Sequence, residues 1–229
     1  LDFDIVIDEL LNLILREINE GKEERVIKKH VLSCINNHKI ILQEIYNWFL
    51  NNQNNLNSVY LLGFFNYHGI ETNINMQNAF DLYQKAAELG NDVAQFDLAN
   101  MYIHGIGIDK NYNEAFELSK KLAEKEYSRG INLLGYCHEY GVGTSVEKNM
   151  AFKLYQKAAN LGNSVAQHNL ANMYKNGEGV NKDYVKAFEL YQKSAEGGYS
   201  DGIYMLGYCY YNGIGISVNK QKAFELYQK

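Results

Sequence analysis

The sequence predicts an all-α chain: an α-solenoid of antiparallel helix pairs, wound as a right-handed superhelix with a 36-residue period. Three observations carry that prediction. First, Ala-Phe occurs five times, at Ala79-Phe80, Ala115-Phe116, Ala151-Phe152, Ala187-Phe188 and Ala223-Phe224, each 36 residues from the last. Leucine keeps the same interval at 62, 98, 134, 170 and 206, and glycine at 69, 105, 141, 177 and 213. A fixed period of roughly 20–50 residues marks a repeat array. Second, the apolar residues within each period recur at helical spacing. Third, the 229 residues contain no proline, where average usage of roughly 5% would supply about eleven. Glycine and asparagine are left to end the helices.

Taken in chain order, the first 56 residues read as three helices, Phe3 to Gly21, Glu23 to Cys34 and Ile40 to Asn52, punctuated by Gly21, by Asn36-Asn37 and by the asparagine-rich run 51–55. The third is placed to pair with the first repeat helix (Tyr60 to Tyr67) as an N-terminal cap, with Ile45, Trp48 and Phe49 facing inward. Residues 76–111 show one full period. Ala79, Phe80, Tyr83, Ala86 and Ala87 lie on one face of a helix. Gly90-Asn91 ends it, because both residues tolerate the left-handed conformation, and Asp92 is a candidate N-cap for the next. Ala94, Leu98, Met101 and Tyr102 line a second helix, closed by Gly105-Ile106-Gly107. Two helices joined by so short a turn are antiparallel neighbours. The small columns 94/130/166/202 (Ala, Gly, Ala, Gly) and 63/99/135/171/207 (Gly, Ala, Gly, Ala, Gly) let the backbones approach closely. Ordering 36 residues costs about 1–2 kcal/mol each, so one repeat cannot stand alone and stacking must supply the balance. The division predicted is a helical linker or capping segment, 1–56, and five repeats, 57–229, the last truncated.

The motif Ala166, Leu170, Ala171, Tyr174, Gly177, Gly179, then Lys186, Ala187, Tyr191, Ala195, Gly198 resembles the Sel-1-like repeat, a relative of the tetratricopeptide repeat. The resemblance covers about Leu56 to Lys229. Departures are Glu71 for the second loop glycine of the first repeat, Glu126 for a helix-ending glycine, and Ser119 for a helix tyrosine. Leu122 replaces the alanine of positions 86 and 158 and is placed to fill the space Ser119 leaves. The N-terminal block is similar to the segment joining a protein-kinase-like domain to Sel-1-like repeats in some fungal proteins. No kinase motif is present: no Gly-rich loop before a Val-Ala-x-Lys strand, no His-Arg-Asp and no Asp-Phe-Gly. A second period of 72 lies inside the first: Leu134-Gly135-Tyr136-Cys137 recurs as Leu206-Gly207-Tyr208-Cys209.

Composition narrows the function classes. Net charge is −5 with no clustered basic face, which argues against nucleic acid. The stretch Ile5 to Ile18 is broken by Asp8, Glu9, Asn12, Arg16 and Glu17, so no run reaches the roughly 18–20 apolar residues that span a bilayer. Three cysteines make no disulfide framework. Cys137 and Cys209 share a repeat column about 20 Å apart at about 10 Å per repeat, beyond the roughly 7 Å a disulfide allows. They read as small buried hydrophobes in a reducing, cytoplasmic compartment. The Gly-x-Gly pairs follow helices and lack a third glycine, so they read as helix caps, not phosphate loops. Among the histidines only His68 and His104 share a repeat column, without a recurring carboxylate or cysteine. No enzyme activity, cofactor or metal is expected of this chain. The resemblance does bring a minor alternative, since some Sel-1-like proteins are linked to hydrolase activity. Those are cysteine-rich with in-repeat disulfides, which this chain lacks.

The remaining candidate is the concave face lined by the first helices. Its columns read Phe64, Asn100, Tyr136, Asn172, Tyr208, and, four residues earlier, Tyr60, Phe96, Asn132, His168, Tyr204. Asparagine amides can donate to and accept from an extended backbone, and tyrosines supply rigid amphipathic area. The candidate partner-binding residues are therefore Phe64, Asn100, Tyr136, Asn172, Tyr208, Phe96, His168 and Tyr204. The function expected is a protein-interaction scaffold or adaptor that binds a peptide or domain. The alternative is the adaptor arm of a kinase-like signalling protein whose catalytic domain lies upstream of Leu1. The chain begins without Met and stops inside a repeat, in the lysine column of Lys85, Lys121, Lys157 and Lys193. That predicts further repeats, or self-association through the uncapped end.

Overall fold

A computed structural model describes residues 3–20, 22 and 24–228. Gly21 as the first break, Glu23 as the start of the second helix and Lys229 in the lysine column lie outside the described residues. Among those described there are thirteen helices and no strand: α1 (Phe3–Asn19), α2 (Glu24–Asn37), α3 (Leu42–Asn51), α4 (Leu56–His68), α5 (Met76–Glu88), α6 (Asp92–His104), α7 (Tyr112–Glu124), α8 (Ser128–Tyr140), α9 (Lys148–Asn160), α10 (Ser164–Asn176), α11 (Tyr184–Glu196), α12 (Ser200–Asn212) and α13 (Lys220–Tyr227). They divide into two compact units, Leu1–Ile18 with Glu23–Leu118, and Asn19–Lys22 with Ser119–Lys229. The division falls inside α7.

In the first unit α1, α2 and α3 share a core with α4 to α6. Leu10, Ile14, Val31, Ile45 and Phe49 are fully buried, and Trp48 is half-buried against Phe3. Phe49 meets Phe65 edge-on at 5.2 Å, which seats α3 on α4. Helix α4 is buried on every side from Ser58 to Asn66, so it shows no polar stripe.

The repeat helices start and stop by recurring chemistry. Asn91 Oδ1 accepts from the Ala94 N–H at 2.8 Å, and Asn163 repeats this with Ala166 at 2.8 Å. The N-cap of α6 is therefore Asn91, and Asp92 sits in the first turn. Position 91 satisfies the orphan helix donors because its side chain is short enough to fold back on the backbone. At the other end, Gly105 takes a left-handed φ of 71° and its N–H bonds the Met101 carbonyl. Gly69, Gly141, Gly177 and Gly213 do the same in their helices. The second glycine is required by close approach: a Cβ on Gly107 would stand 2.3 Å from the Met76 carbonyl oxygen, and one on Gly215 would stand 2.0 Å from that of Tyr184. These loops are helix caps packed on the start of the preceding second helix. Glu71 and Glu126 adopt the left-handed region despite their side chains, at φ 55° and 59°.

The recurring columns have physical jobs within the chain. Ala79, Ala115, Ala151 and Ala187 are fully buried. The following phenylalanine meets a tyrosine 22 residues on: Phe80 with Tyr102, Phe152 with Tyr174 and Phe188 with Tyr210, all edge-on at 5.3–5.4 Å. The glycines of the second small column lie against tyrosine rings, with a Cβ at Gly63, Gly135 or Gly207 reaching 2.7–2.8 Å from Tyr83, Tyr155 or Tyr227. Leu122 is fully buried, and its helix comes so close to Gly130 that a Cβ there would stand 2.2 Å from the Leu122 Cβ. Ser119 lies against Cys137, Oγ to Sγ 3.8 Å.

Candidate interaction face on the first helices

In the second unit α8, α10 and α12 contact one another in sequence as well as their own second helices. They form one layer, and residues at i, i+4 and i+8 of each helix make one stripe across it. The stripe reads Asn132, Tyr136, Tyr140 on α8, then His168, Asn172, Asn176 on α10, then Tyr204, Tyr208, Asn212 on α12.

The residues of this stripe differ sharply in what they offer. Tyr136 and Tyr140 meet at a tilt of 43° with ring centroids 4.7 Å apart, and Tyr140 is 59% exposed. Tyr204 and Tyr208 are also exposed, at 58% and 39%, and Tyr211 joins them one turn on. Asn172 is committed within the fold: its Oδ1 accepts from the Tyr191 hydroxyl at 2.5 Å, and its Nδ2 donates to His168 Nε2 at 2.9 Å. That bond requires the lone pair of a neutral imidazole, with the proton on Nδ1. Burial pushes the His168 pKa down, with a smaller opposing influence from Asp201, which keeps the ring neutral. His168 also sits between the rings of Tyr191 and Tyr199. Asn132 accepts from Asn169 at 3.0 Å.

In the first unit the expected ladder fails at its first rung. Phe64 is 3% exposed and packs on His68 at 4.1 Å, while Tyr60 is fully buried, stacks on Tyr83 and donates to Asp97 at 3.0 Å. Both positions are core, in the cluster that α4 shares with α1, α2 and α3. Phe96 is half-buried, and Asn100 donates to the Phe96 carbonyl of its own helix at 2.9 Å. The asparagines thus bond within the fold, and Tyr140, Tyr204 and Tyr208 of the second unit are the exposed members.

Two clusters escaped the sequence reading. Glu139 accepts from Tyr155 at 2.7 Å and pairs with Lys148 at 3.3 Å, and Lys148 also pairs with Glu178 at 2.6 Å. Burial alone would lower the Lys148 amine, but the hydrogen bonds and charges of Glu178 and Glu139 raise it, so it remains a cation that ties helices together. The other cluster is Glu9, Cys34 and His38, whose ligand atoms all lie within 4.8 Å of one another. The spacing Cys34-x3-His38 was its visible signal; the partner Glu9 was not visible without the tertiary fold. Cys137 and Cys209 are fully buried, and burial pushes both thiols up to about 11.

The geometry is that of helix pairs repeating every 36 residues, and the Sel1 repeat model matches residues 57–91, 92–127, 128–163, 164–199 and 200–229. The chain belongs to the Sel1 repeat family. This Sel1 repeat chain is similar in structure to a Sel1 repeat protein from Oxalobacter formigenes: TM-score 0.76 and 28% identity over 80% of this chain and 74% of that one. It is also similar to a protective antigen of uropathogenic Escherichia coli with an SLR fold, at TM-score 0.64 and 29% identity, covering 80% of this chain and 40% of that one. A Sel1 repeat protein from Klebsiella pneumoniae matches at TM-score 0.55 and 25% identity, over 80% and 90% of the two chains. No curated protein sequence matches the Sel1 repeat chain. Sel1 repeat proteins are generally protein-interaction scaffolds, and the fold is typically non-catalytic. Among the described residues no helix is long and apolar enough to cross a membrane.

Proposed function

We propose that this chain is a scaffold that holds a partner peptide or domain on the first-helix layer of its second unit, anchored by Tyr136, Tyr140, Tyr204 and Tyr208. The observation that supports this is the exposure of Tyr140, Tyr204 and Tyr208 on one stripe, with Tyr136 half-buried beside Tyr140, where the equivalent Tyr60 and Phe64 of the first unit are buried. Exposed tyrosines combine apolar area with a polar tip and lose little conformational freedom on binding. Asn172 and His168 act one step removed, bracing the floor between the two tyrosine pairs through Tyr191. The same reading places the scaffold in a reducing compartment, which suits three free thiols.

The test is affinity capture with mass spectrometry on wild-type protein and on Tyr204→Ala/Tyr208→Ala. Both side chains are exposed, so helicity by circular dichroism should be unchanged while the specific partner set is lost. An identical partner set from both proteins overturns the assignment of this face.

A further inference from the structure

Helix α2 carries His30 and Cys34 four residues apart, and His38 follows at the same interval. His38 lies just past the helix end, yet its N–H still bonds the Cys34 carbonyl at 3.3 Å, so it keeps the helical register. Lys39 then turns left-handed at φ 56° and ends the run. Facing this row, α1 presents Glu9 and Glu17, also eight residues apart. Glu17 bonds His30 at 2.8 Å, and Glu9 bonds His38 through Oε2 and Nε2. Cys34 lies between the two pairs, half-buried in the groove between the helices.

We propose that Glu9, Cys34 and His38 form a Zn²⁺ site that clips α1 to α2. A carboxylate oxygen, a thiol sulfur and an imidazole nitrogen already converge within 4.8 Å of one another. Ligand–metal distances of about 2.0–2.3 Å need only a modest further closure, which side-chain rotation on an open groove can supply. The donor set selects the ion: sulfur with nitrogen suits zinc, whereas calcium and magnesium demand mostly oxygen. Charge also fits, because one thiolate and one carboxylate balance the dication. Binding would release the thiol proton to solvent and set the thiolate and the carboxylate on one shared cation. Arg16, the nearby cation of the groove, is directed to Glu17 at 3.7 Å. Water completes the fourth position on the solvent side, where Glu9 is exposed. The site would tie together residues 29 apart in sequence, Glu9 and His38.

The experiment uses the full chain. Zn²⁺ affinity is measured by chelator competition, and Co²⁺ is added as a spectroscopic substitute. One equivalent should bind, with thiolate-to-cobalt charge-transfer absorption in the near-ultraviolet and a raised Tm. Cys34→Ser and His38→Gln should each weaken Zn²⁺ by more than about 100-fold, above the range for losing an outer-shell partner, and Glu9→Gln should weaken it in the same direction. Cys34→Ser should abolish the charge-transfer band. Cys137 and Cys209 are fully buried and serve as silent thiols. Circular dichroism checks that each variant keeps its helicity, and His38→Gln retains the test if Cys34→Ser misfolds. Absence of the band in the wild type, or equal Zn²⁺ affinity in wild type and both variants, overturns the proposal.

Discussion

The pairing of Leu122 with Gly130 should behave as one unit in a double-mutant cycle. Gly130→Ala places a Cβ 2.2 Å from the Leu122 Cβ and 3.0 Å from its carbonyl carbon. The neighbour here is backbone and the root of a side chain, so α7 and α8 must part by about 1 Å. Overpacking of that kind costs about 1–3 kcal/mol, offset by about 1 kcal/mol of helix propensity when alanine replaces glycine. A net loss of about 0–2 kcal/mol is expected. Leu122→Ala empties a fully buried site and should cost about 3 kcal/mol. The double variant recreates the alanine pairs found at Ala86 with Ala94 and at Ala158 with Ala166, where all four side chains are fully buried. Its new methyl still meets the Cβ and backbone of residue 122, which alanine keeps, but the emptied leucine volume lets α7 and α8 reset to an alanine-pair spacing; the methyl also refills part of the cavity and keeps the propensity benefit. The double should therefore lose only about 2 kcal/mol, against about 3–5 for the sum of the singles. Urea unfolding followed by circular dichroism gives all four stabilities. Additivity within about 0.5 kcal/mol, the behaviour of independent sites, would refute the complementarity argument.

Glu71→Gly and Glu126→Gly should each stabilise the chain, because a left-handed non-glycine residue costs about 1–2 kcal/mol. Thermal melts should shift up by about 2–4 °C per kcal/mol, less for Glu126, whose exposed contact with Lys157 is lost; unchanged melts would contradict the strain. The His68 imidazole is lowered from 6.5 to about 4, by burial first and by the Lys28 charge second. The unfolded chain then takes a proton that the folded chain refuses, so stability is lost as pH falls from 6.5 towards 4. The shift of about 2.5 units corresponds to about 3 kcal/mol. Urea midpoints at neutral and acidic pH should therefore converge more for His68→Gln than for wild type, and equal acid sensitivity would refute this.

Much of the fold was legible because the packing constraints repeat. A buried alanine, an edge-on phenylalanine and a left-handed glycine recur every 36 residues, and each leaves a column. Helix ends were less legible where one residue type does two jobs. Asn36-Asn37 reads as a break, but α2 continues through both because Ile35 beside them is buried in the core. Asn55, read as part of a loop, caps α4 through hydrogen bonds to Asn57 and Ser58 and starts that helix four residues before Tyr60. The candidate face was half legible. Column membership gives the direction a side chain takes from its helix, but not what covers it. Phe64 and Tyr208 share a column, yet one is core and the other 39% exposed.

The 72-residue period has two physical origins, and separating them decides where the binding argument rests. Several alternating columns are packing solutions. The two columns both hold alanine at 86 and 94, and again at 158 and 166, whereas leucine faces glycine at 122 and 130, and serine faces glycine at 194 and 202, where a Cβ would stand 2.3 Å from the Ser194 hydroxyl. The cap column alternates too: Asn91 and Asn163 cap their helices by side-chain hydrogen bonds, while Tyr127 and Tyr199 make none to the helix start. Alternation alone therefore carries no functional weight. What distinguishes 136 and 208 from 100 and 172 is that both asparagines bond within the fold, Asn172 to another helix and Asn100 to its own, while Tyr208 and the rings beside Tyr136 and Tyr208 stand in solvent. A peptide laid across this layer would meet tyrosine first, and the tyrosines, not the asparagines, are the positions whose substitution should change recognition without changing the fold.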